Sequence, residues 1–171
     1  MDLPKRKQIR LQNYDYSSPG SYFVTICTHE RRCILSEIVV GDGVLDVPNV
    51  RLSPHGEIVA ETLREMGKTY SWLSLDRYVI MPNHIHLLVQ IGDNGPSRTP
   101  APTNELLPML ISTFKRFTNR KCGLQLWQRS YHERVIRNER DYQEIWEYID
   151  TNPPKGPRTG ITRNEHIASH A

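Results

Sequence analysis

The sequence predicts an α+β domain, an antiparallel sheet with helices on one face. Three observations lead there. Short β-branched and aromatic runs alternate with stretches whose apolar residues recur every three or four positions. With one hairpin set aside, these segments run strand, helix, strand, strand, helix, strand, and then one more helix. The 171 residues suit a single domain over 1–171. Hydrophobic residues make up 37% and charged residues 24%, which excludes compositional disorder.

Residues 1–20 read as a loose basic arm closed by the turn cluster Ser17-Ser18-Pro19-Gly20. Tyr22 to Thr28, Tyr-Phe-Val-Thr-Ile-Cys-Thr, predicts the first strand. Around Gly41-Asp42-Gly43, residues 34–52 predict a hairpin or loose meander with no assignable motif. Ser53-Pro54 offers an N-cap and a first-turn proline. Val59, Thr62, Leu63 and Met66 follow at helical spacing, and Gly67 can stop that helix. Strands are expected over 72–80 and 84–91, joined through Met81-Pro82-Asn83. Residues 92–102 read as a loop, again without a motif. A second helix starts at Thr103, with Leu107, Leu110, Ile111, Phe114 and Phe117 as its apolar stripe. Tyr131 to Ile136 predicts a strand. Asn138 or Asp141 can cap a third helix that buries Tyr142, Ile145, Trp146 and Ile149 and ends at Asn152-Pro153-Pro154. The tail at 156–171 reads as loose. The first six elements match the ferredoxin-like (RRM-like) split βαβ pattern. Its second sheet face would be free to bind a ligand, as in RNA-recognition modules.

Twenty-two basic residues against 19 acidic ones leave a formal charge of +3, too little by itself to imply nucleic acid. The distribution is more telling. From Phe114 to Arg137 seven basic residues face one acidic residue, Glu133. Such a stretch suits an anionic polymer, or is a solvated face. Cys27, Cys33 and Cys122 form no CxxC and read as reduced and structural. No apolar run approaches the ~18 residues of a membrane span. The charged start, Met1 to Lys7, has no apolar stretch behind it, so the expectation is a cytoplasmic protein without a membrane partner.

The strongest chemical signal is Pro82-Asn83-His84-Ile85-His86-Leu87-Leu88. Alternation on a strand points His84 and His86 to one face, about 6.6–7 Å apart, with Ile85, Leu87 and Val89 on the other. Two imidazoles so placed can converge on a metal ion, whereas a lone strand histidine is usually structural. A catalytic ion wants a further protein ligand. Tyr148 and Asn152 share one face of the third helix, and an amide oxygen suits magnesium or manganese. Taken singly, a helical tyrosine is more often packed and an asparagine before proline more often a C-cap.

The histidine segment resembles the His-hydrophobic-His signature of HUH endonucleases. Tyr148-Ile149-Asp150-Thr151-Asn152-Pro153 resembles the Tyr-Ile-x-x-Asn-Pro segment of REP-associated tyrosine transposases, relatives of the single-tyrosine transposases of small insertion sequences. Tyr22 to Thr28 and Leu126 to His132 are similar to that group too, so the resemblance runs over about 20–157. It implies a metal-dependent endonuclease and strand transferase acting on single-stranded or hairpin DNA, such as repetitive extragenic palindromes. The added C-terminal helix would carry the catalytic nucleophile, Tyr148. His84, His86 and Asn152 would hold one Mg2+ or Mn2+ ion. A phenol, with a pKa of about 10, is a weak nucleophile at neutral pH until a nearby cation favours the phenolate. Lys115, Arg116, Arg120 and Arg129 would contact phosphates. Trp127 fits base stacking or the core equally well. The implied state is a monomer or homodimer.

Three other readings compete. A histidine-triad hydrolase needs a third histidine where Leu88 stands. A non-catalytic nucleic-acid-binding module on the same fold explains the basic stretch but not the coexistence of His84, His86, Tyr148 and Asn152. A metal-dependent phosphodiesterase would use water in place of tyrosine.

Overall fold

The computed structural model describes residues 19–39, 49–92 and 106–152. The expected arm before Pro19, the hairpin turn, the loop after Gly92, the helix start at Thr103 and the tail lie outside them.

Four strands form one antiparallel sheet: β1 (Gly20–Cys27), β4 (Leu73–Met81), β5 (His84–Ile91) and β6 (His132–Ile136), in the order β4-β5-β1-β6. The strand expected from Tyr131 starts one residue later. Between β1 and β4 lie β2 (Ser36–Val39) and β3 (Asn49–Leu52), which pair as the expected hairpin in a separate two-stranded sheet. α1 (Pro54–Thr69) follows, capped as its sequence predicts: Ser53 Oγ accepts the Gly56 N–H at 3.1 Å. Gly67 does not stop it, since one helical glycine costs only ~1 kcal/mol. At Gly56 a Cβ would stand 2.0 Å from the Leu35 carbonyl oxygen, so glycine alone lets α1 pass the base of the hairpin.

Strand alternation sends Tyr22, Val24 and Ile26 of β1 and Ile85, Leu87, Val89 and Ile91 of β5 to one sheet face. α1 and α2 (Leu106–Cys122) cover that face with Val59, Leu63, Leu107, Leu110, Ile111 and Phe114. Phe117 departs from its expected stripe and is 42% exposed, its ring 5.5 Å from the Arg116 guanidinium. Trp127 belongs to the core: it is 2% exposed, packs beside Phe114 and donates its indole N–H to Thr118 Oγ1 at 2.7 Å. A ring so enclosed offers no face to a base, which corrects the stacking alternative.

The second face is not left free. α3 (Glu139–Asp150), capped by Asn138 Oδ1 on the Asp141 N–H, lies over its β4–β5 half. Ile145 and Ile149 bury against Val79 and Leu88, apolar residues that alternation turns away from the main core. Tyr142 and Trp146, expected to be buried with them, are only partly so and flank this stripe.

A bulge interrupts β4. Leu75 pairs with Val89 and Arg77 with Leu88, so Asp76 is an extra residue with no opposite number. Asp76 and Arg77 both engage α3. Tyr142 donates its hydroxyl to Asp76 Oδ2 at 2.7 Å, and Ser74 donates to Asp76 Oδ1 at 2.6 Å. The Arg77 guanidinium lies 4.5 Å over the Trp146 ring and 2.8 Å from Asp150 Oδ1.

Candidate active site

His84 and His86 both project from β5 onto the second sheet face, beside α3. Their Nε2 atoms are 3.1 Å apart. Metal–nitrogen bonds of about 2.1 Å set two ligand nitrogens of one ion about 3.0–3.4 Å apart, so the pair has the spacing of two ligands of one ion. The other ring nitrogens are occupied. Asn83 Oδ1 lies 2.7 Å from His84 Nδ1, and an amide oxygen can only accept, so this Nδ1 carries the proton. Thr25 Oγ1, on the strand paired with β5, lies 2.9 Å from His86 Nδ1. With its Nδ1 proton taken by Asn83, His84 presents a lone pair at Nε2. The Thr25 hydroxyl can donate to or accept from His86 Nδ1, so the 3.1 Å approach is an Nε2–H···Nε2 bond in one His86 tautomer and a pair of facing lone pairs, free to ligate a cation, in the other.

Both rings are held neutral. Burial, and after it the cationic Arg31, lowers the His84 pKa. Burial and then the neighbouring His84 bring His86 down to about 4. His86 is 7% exposed, more enclosed than a free face would make it. The Phe23 ring stacks on it at 5.2 Å and 26°. The Pro82–Asn83 turn that precedes the pair is pinned from outside: the Thr28 N–H donates to Asn83 O at 2.9 Å and the Leu35 N–H to Pro82 O at 3.0 Å.

Tyr148 comes to the same place from α3. Its hydroxyl oxygen is 3.4 Å from His86 Nε2, and its ring meets Phe23 edge-on at 6.0 Å. The ring is 48% exposed, so a bulky substrate can reach the phenol. Helical phase explains the placement. Ile145 and Ile149 face the sheet, Tyr148 and Asn152 share one flank, and Tyr142, Trp146 and Asp150 share the other. The bulge grips the second flank and leaves the first open. Arg134 of β6, paired with Asp141, ties down the opening turn of α3.

The structure thus brings His84, His86 and Tyr148 together. Asn152 stands one turn beyond Tyr148, its N–H donating to Ile149 O at 3.4 Å. No cluster of three or more His, Cys, Asp or Glu side chains able to hold an ion occurs among the described residues, so a further ligand drawn from these residues would be of another type, as an amide is. Arg116, Arg120 and Arg129 are exposed. Lys115 is otherwise engaged. Its ammonium donates to the carbonyls of Gln128, Arg129 and Ser130 at 2.9, 3.3 and 3.0 Å, and burial lowers its pKa to about 8. It ties 128–130 to α2, and a phosphate contact would have to displace those bonds. Sequence reasoning missed Phe23, Thr25 and Asn83. Alternation puts Phe23 and Thr25 opposite the buried Tyr22, Val24 and Ile26, but only the β1–β5 register, Thr25 against His86, reveals what they touch.

No helix among the described residues is long and apolar enough to cross a membrane. No protein-family model matches the chain. An uncharacterised protein of Haemophilus influenzae is 29% identical over 165 residues, spanning 86% of this chain and 88% of its own length. A REP-associated tyrosine transposase of Escherichia coli is 29% identical over 82 residues, 47% of this chain and 44% of that protein. Among solved structures, a REP-associated tyrosine transposase bound to a REP hairpin superposes with a TM-score of 0.59 at 18% identity, over 84% of this chain and 72% of the other. At that identity the likeness is one of fold.

Proposed function

We propose that the protein is a single-tyrosine DNA nicking and joining enzyme of the HUH type, built on a ferredoxin-like frame and acting on single-stranded or hairpin DNA. The observation that carries this reading is the meeting of His84 Nε2, His86 Nε2 and the Tyr148 hydroxyl within 3.4 Å steps. The β-α-β-β-α-β succession supports the frame. The likeness of fold to a transposase bound to a hairpin supports the substrate class.

His84, His86 and the Asn152 amide would hold a divalent cation, magnesium or manganese. Such an ion polarises a phosphate and favours the phenolate over the phenol. The chain's own residues do the rest. Asn83 and Thr25 orient the imidazoles. Phe23 walls the site behind His86 and Tyr148. The Tyr148 oxygen, its proton lost to solvent, forms a bond to the phosphorus of a phosphodiester. The bond from phosphorus to the 3′ oxygen breaks, and that oxygen leaves as a 3′-hydroxyl after taking up a proton. The 5′ phosphate remains on Tyr148 as a diester, so the reverse attack rejoins strands without ATP. Exposed Arg116, Arg120 and Arg129 would neutralise backbone phosphates, with log K falling by about 0.7 per contact as log salt rises.

A 3′-labelled pool of single-stranded oligonucleotides, incubated with the protein and Mg2+ or Mn2+, tests this. Wild type should yield a denaturant-stable labelled adduct that chelator prevents. Tyr148→Phe should bind DNA and yield none, while Tyr131→Phe should still form it. Adduct at the wild-type rate in Tyr148→Phe would overturn the assignment.

A further inference from the structure

We infer that the Asp76–Arg77 bulge of β4 is the positioning element of the nucleophile, setting the roll of α3 and hence the place of the Tyr148 hydroxyl. The inference rests on the function proposed above and extends it to residues remote from the reacting atoms.

A helix on a sheet is fixed in height by its apolar stripe, but its roll needs a second constraint. Ile145 and Ile149 supply only a narrow stripe. On the Tyr148 flank the Arg134–Asp141 pair holds only the opening turn, with Arg134 61% exposed, so the enclosed second constraint comes from the other flank. Tyr142, Trp146 and Asp150 recur every four residues and form one row. In a regular strand, neighbouring residues point to opposite faces, so only one of two could reach that row. The bulge removes the restriction. Asp76 takes the Tyr142 hydroxyl at 2.7 Å, while Arg77 covers Trp146 at 4.5 Å and pairs with Asp150 at 2.8 Å. The ion pair is well enclosed, with side chains 18% and 19% exposed, so screening weakens it less than a surface pair. The pair is one Nη2–H···Oδ1 contact, and because the same guanidinium also lies over the Trp146 ring, its orientation is held as well as its distance. Tyr148 lies two residues from both Trp146 and Asp150, on the opposite flank. A roll of α3 about its apolar stripe therefore moves the phenol across the face of His86, and small displacements of a reacting atom cost large rate factors.

The experiment compares Arg77→Ala, Arg77→Lys and the double variant Arg77→Leu with Asp150→Leu, which leaves no lone enclosed charge if the single variant folds poorly. Single-turnover adduct formation, the dissociation constant for the same 3′-labelled oligonucleotide, and hydrogen exchange at α3 amides are read in each. In Arg77→Ala and in the double variant, adduct formation should slow by at least about tenfold and exchange in α3 should quicken, while DNA affinity stays within about twofold. Arg77→Lys should recover part of the rate. An unchanged adduct rate and unchanged exchange in both the Ala and the double variant would overturn the inference, as would loss of rate and affinity in proportion. If wild type forms no adduct, the proposed chemistry fails, and exchange in α3 alone decides whether the bulge holds the helix.

Discussion

Among the described residues, 24 buried hydrophobic side chains form the core that joins α1 and α2 to one face of the sheet, whereas four join α3 to the other. The first face is closed by area, and any one contact matters through the water it excludes. The second is closed by a narrow apolar stripe, one enclosed ion pair, a tyrosine–carboxylate bond and a row of rings. The second face can therefore hold an exposed phenol beside two neutral imidazoles. A thinly packed face leaves access, and directional polar contacts replace bulk as the source of order. The proposed function sits where the core is thinnest.

The largest expected effect tests the first half of that contrast. Phe114→Ala should destabilise by ~3–5 kcal/mol, as for a fully buried aromatic ring, read as a fall in urea midpoint at unchanged slope. A loss below ~1 kcal/mol would mean the helix-covered face is not the main store of stability.

Acid should act on the second face. His86 is held near 4 in the folded chain against about 6.5 unfolded. The unfolded state then binds more protons between those values, so stability falls as pH drops from about 6.5 to 4 and levels off below. The full contribution is at most about 3 kcal/mol. Urea midpoints of chelator-treated protein at several pH values would read it, and His86→Ala should flatten the slope. A variant as acid-sensitive as wild type would place the buried proton site elsewhere.

The two histidines should separate in stability while agreeing in activity. His84→Ala should cost less than ~1 kcal/mol. His86→Ala, which loses a buried ring and its Thr25 bond, should cost ~1–3 kcal/mol. Both should lose metal-dependent cleavage. Full-rate cleavage by either would remove that residue from the ligand set. The smallest effect belongs to Tyr148→Phe, at most ~0.5 kcal/mol because the ring is half exposed, with complete loss of the adduct. A large fall in its melting temperature would show the hydroxyl to be structural.

Periodicity made the frame legible. Alternation over 84–89 announced one apolar and one histidine-bearing face, Ser53-Pro54 announced a helix start, and the four-residue spacing of Tyr148 and Asn152 announced a shared flank. What escaped depends on register or on neighbours distant in sequence. Thr25 meets His86 across 61 residues, and Lys115 is drawn into carbonyls that no local pattern displays. Trp127 carried the same composition signal for stacking as for packing, and only the enclosing Phe114 and Thr118 decided it. α3 closing the second face followed from Leu88, which alternation with His84 and His86 already turned that way, and from Val79, whose facing depended on a bulge that nothing in Leu75-Asp76-Arg77 advertises.

That bulge also makes β4 an unusual place for a deletion. Excising one residue from a strand ordinarily breaks its parity and turns every later side chain inside out. Here Asp76 is the odd member. Without it, Leu73, Leu75, Tyr78 and Ile80 would alternate with Ser74, Arg77, Val79 and Met81 in unbroken register, and the same four would still meet the main core. The gene could lose one codon in mid-strand and keep the sheet. What would vanish is the carboxylate that holds Tyr142. The extra residue thus belongs to the helix it serves, although it is spelled out in the strand.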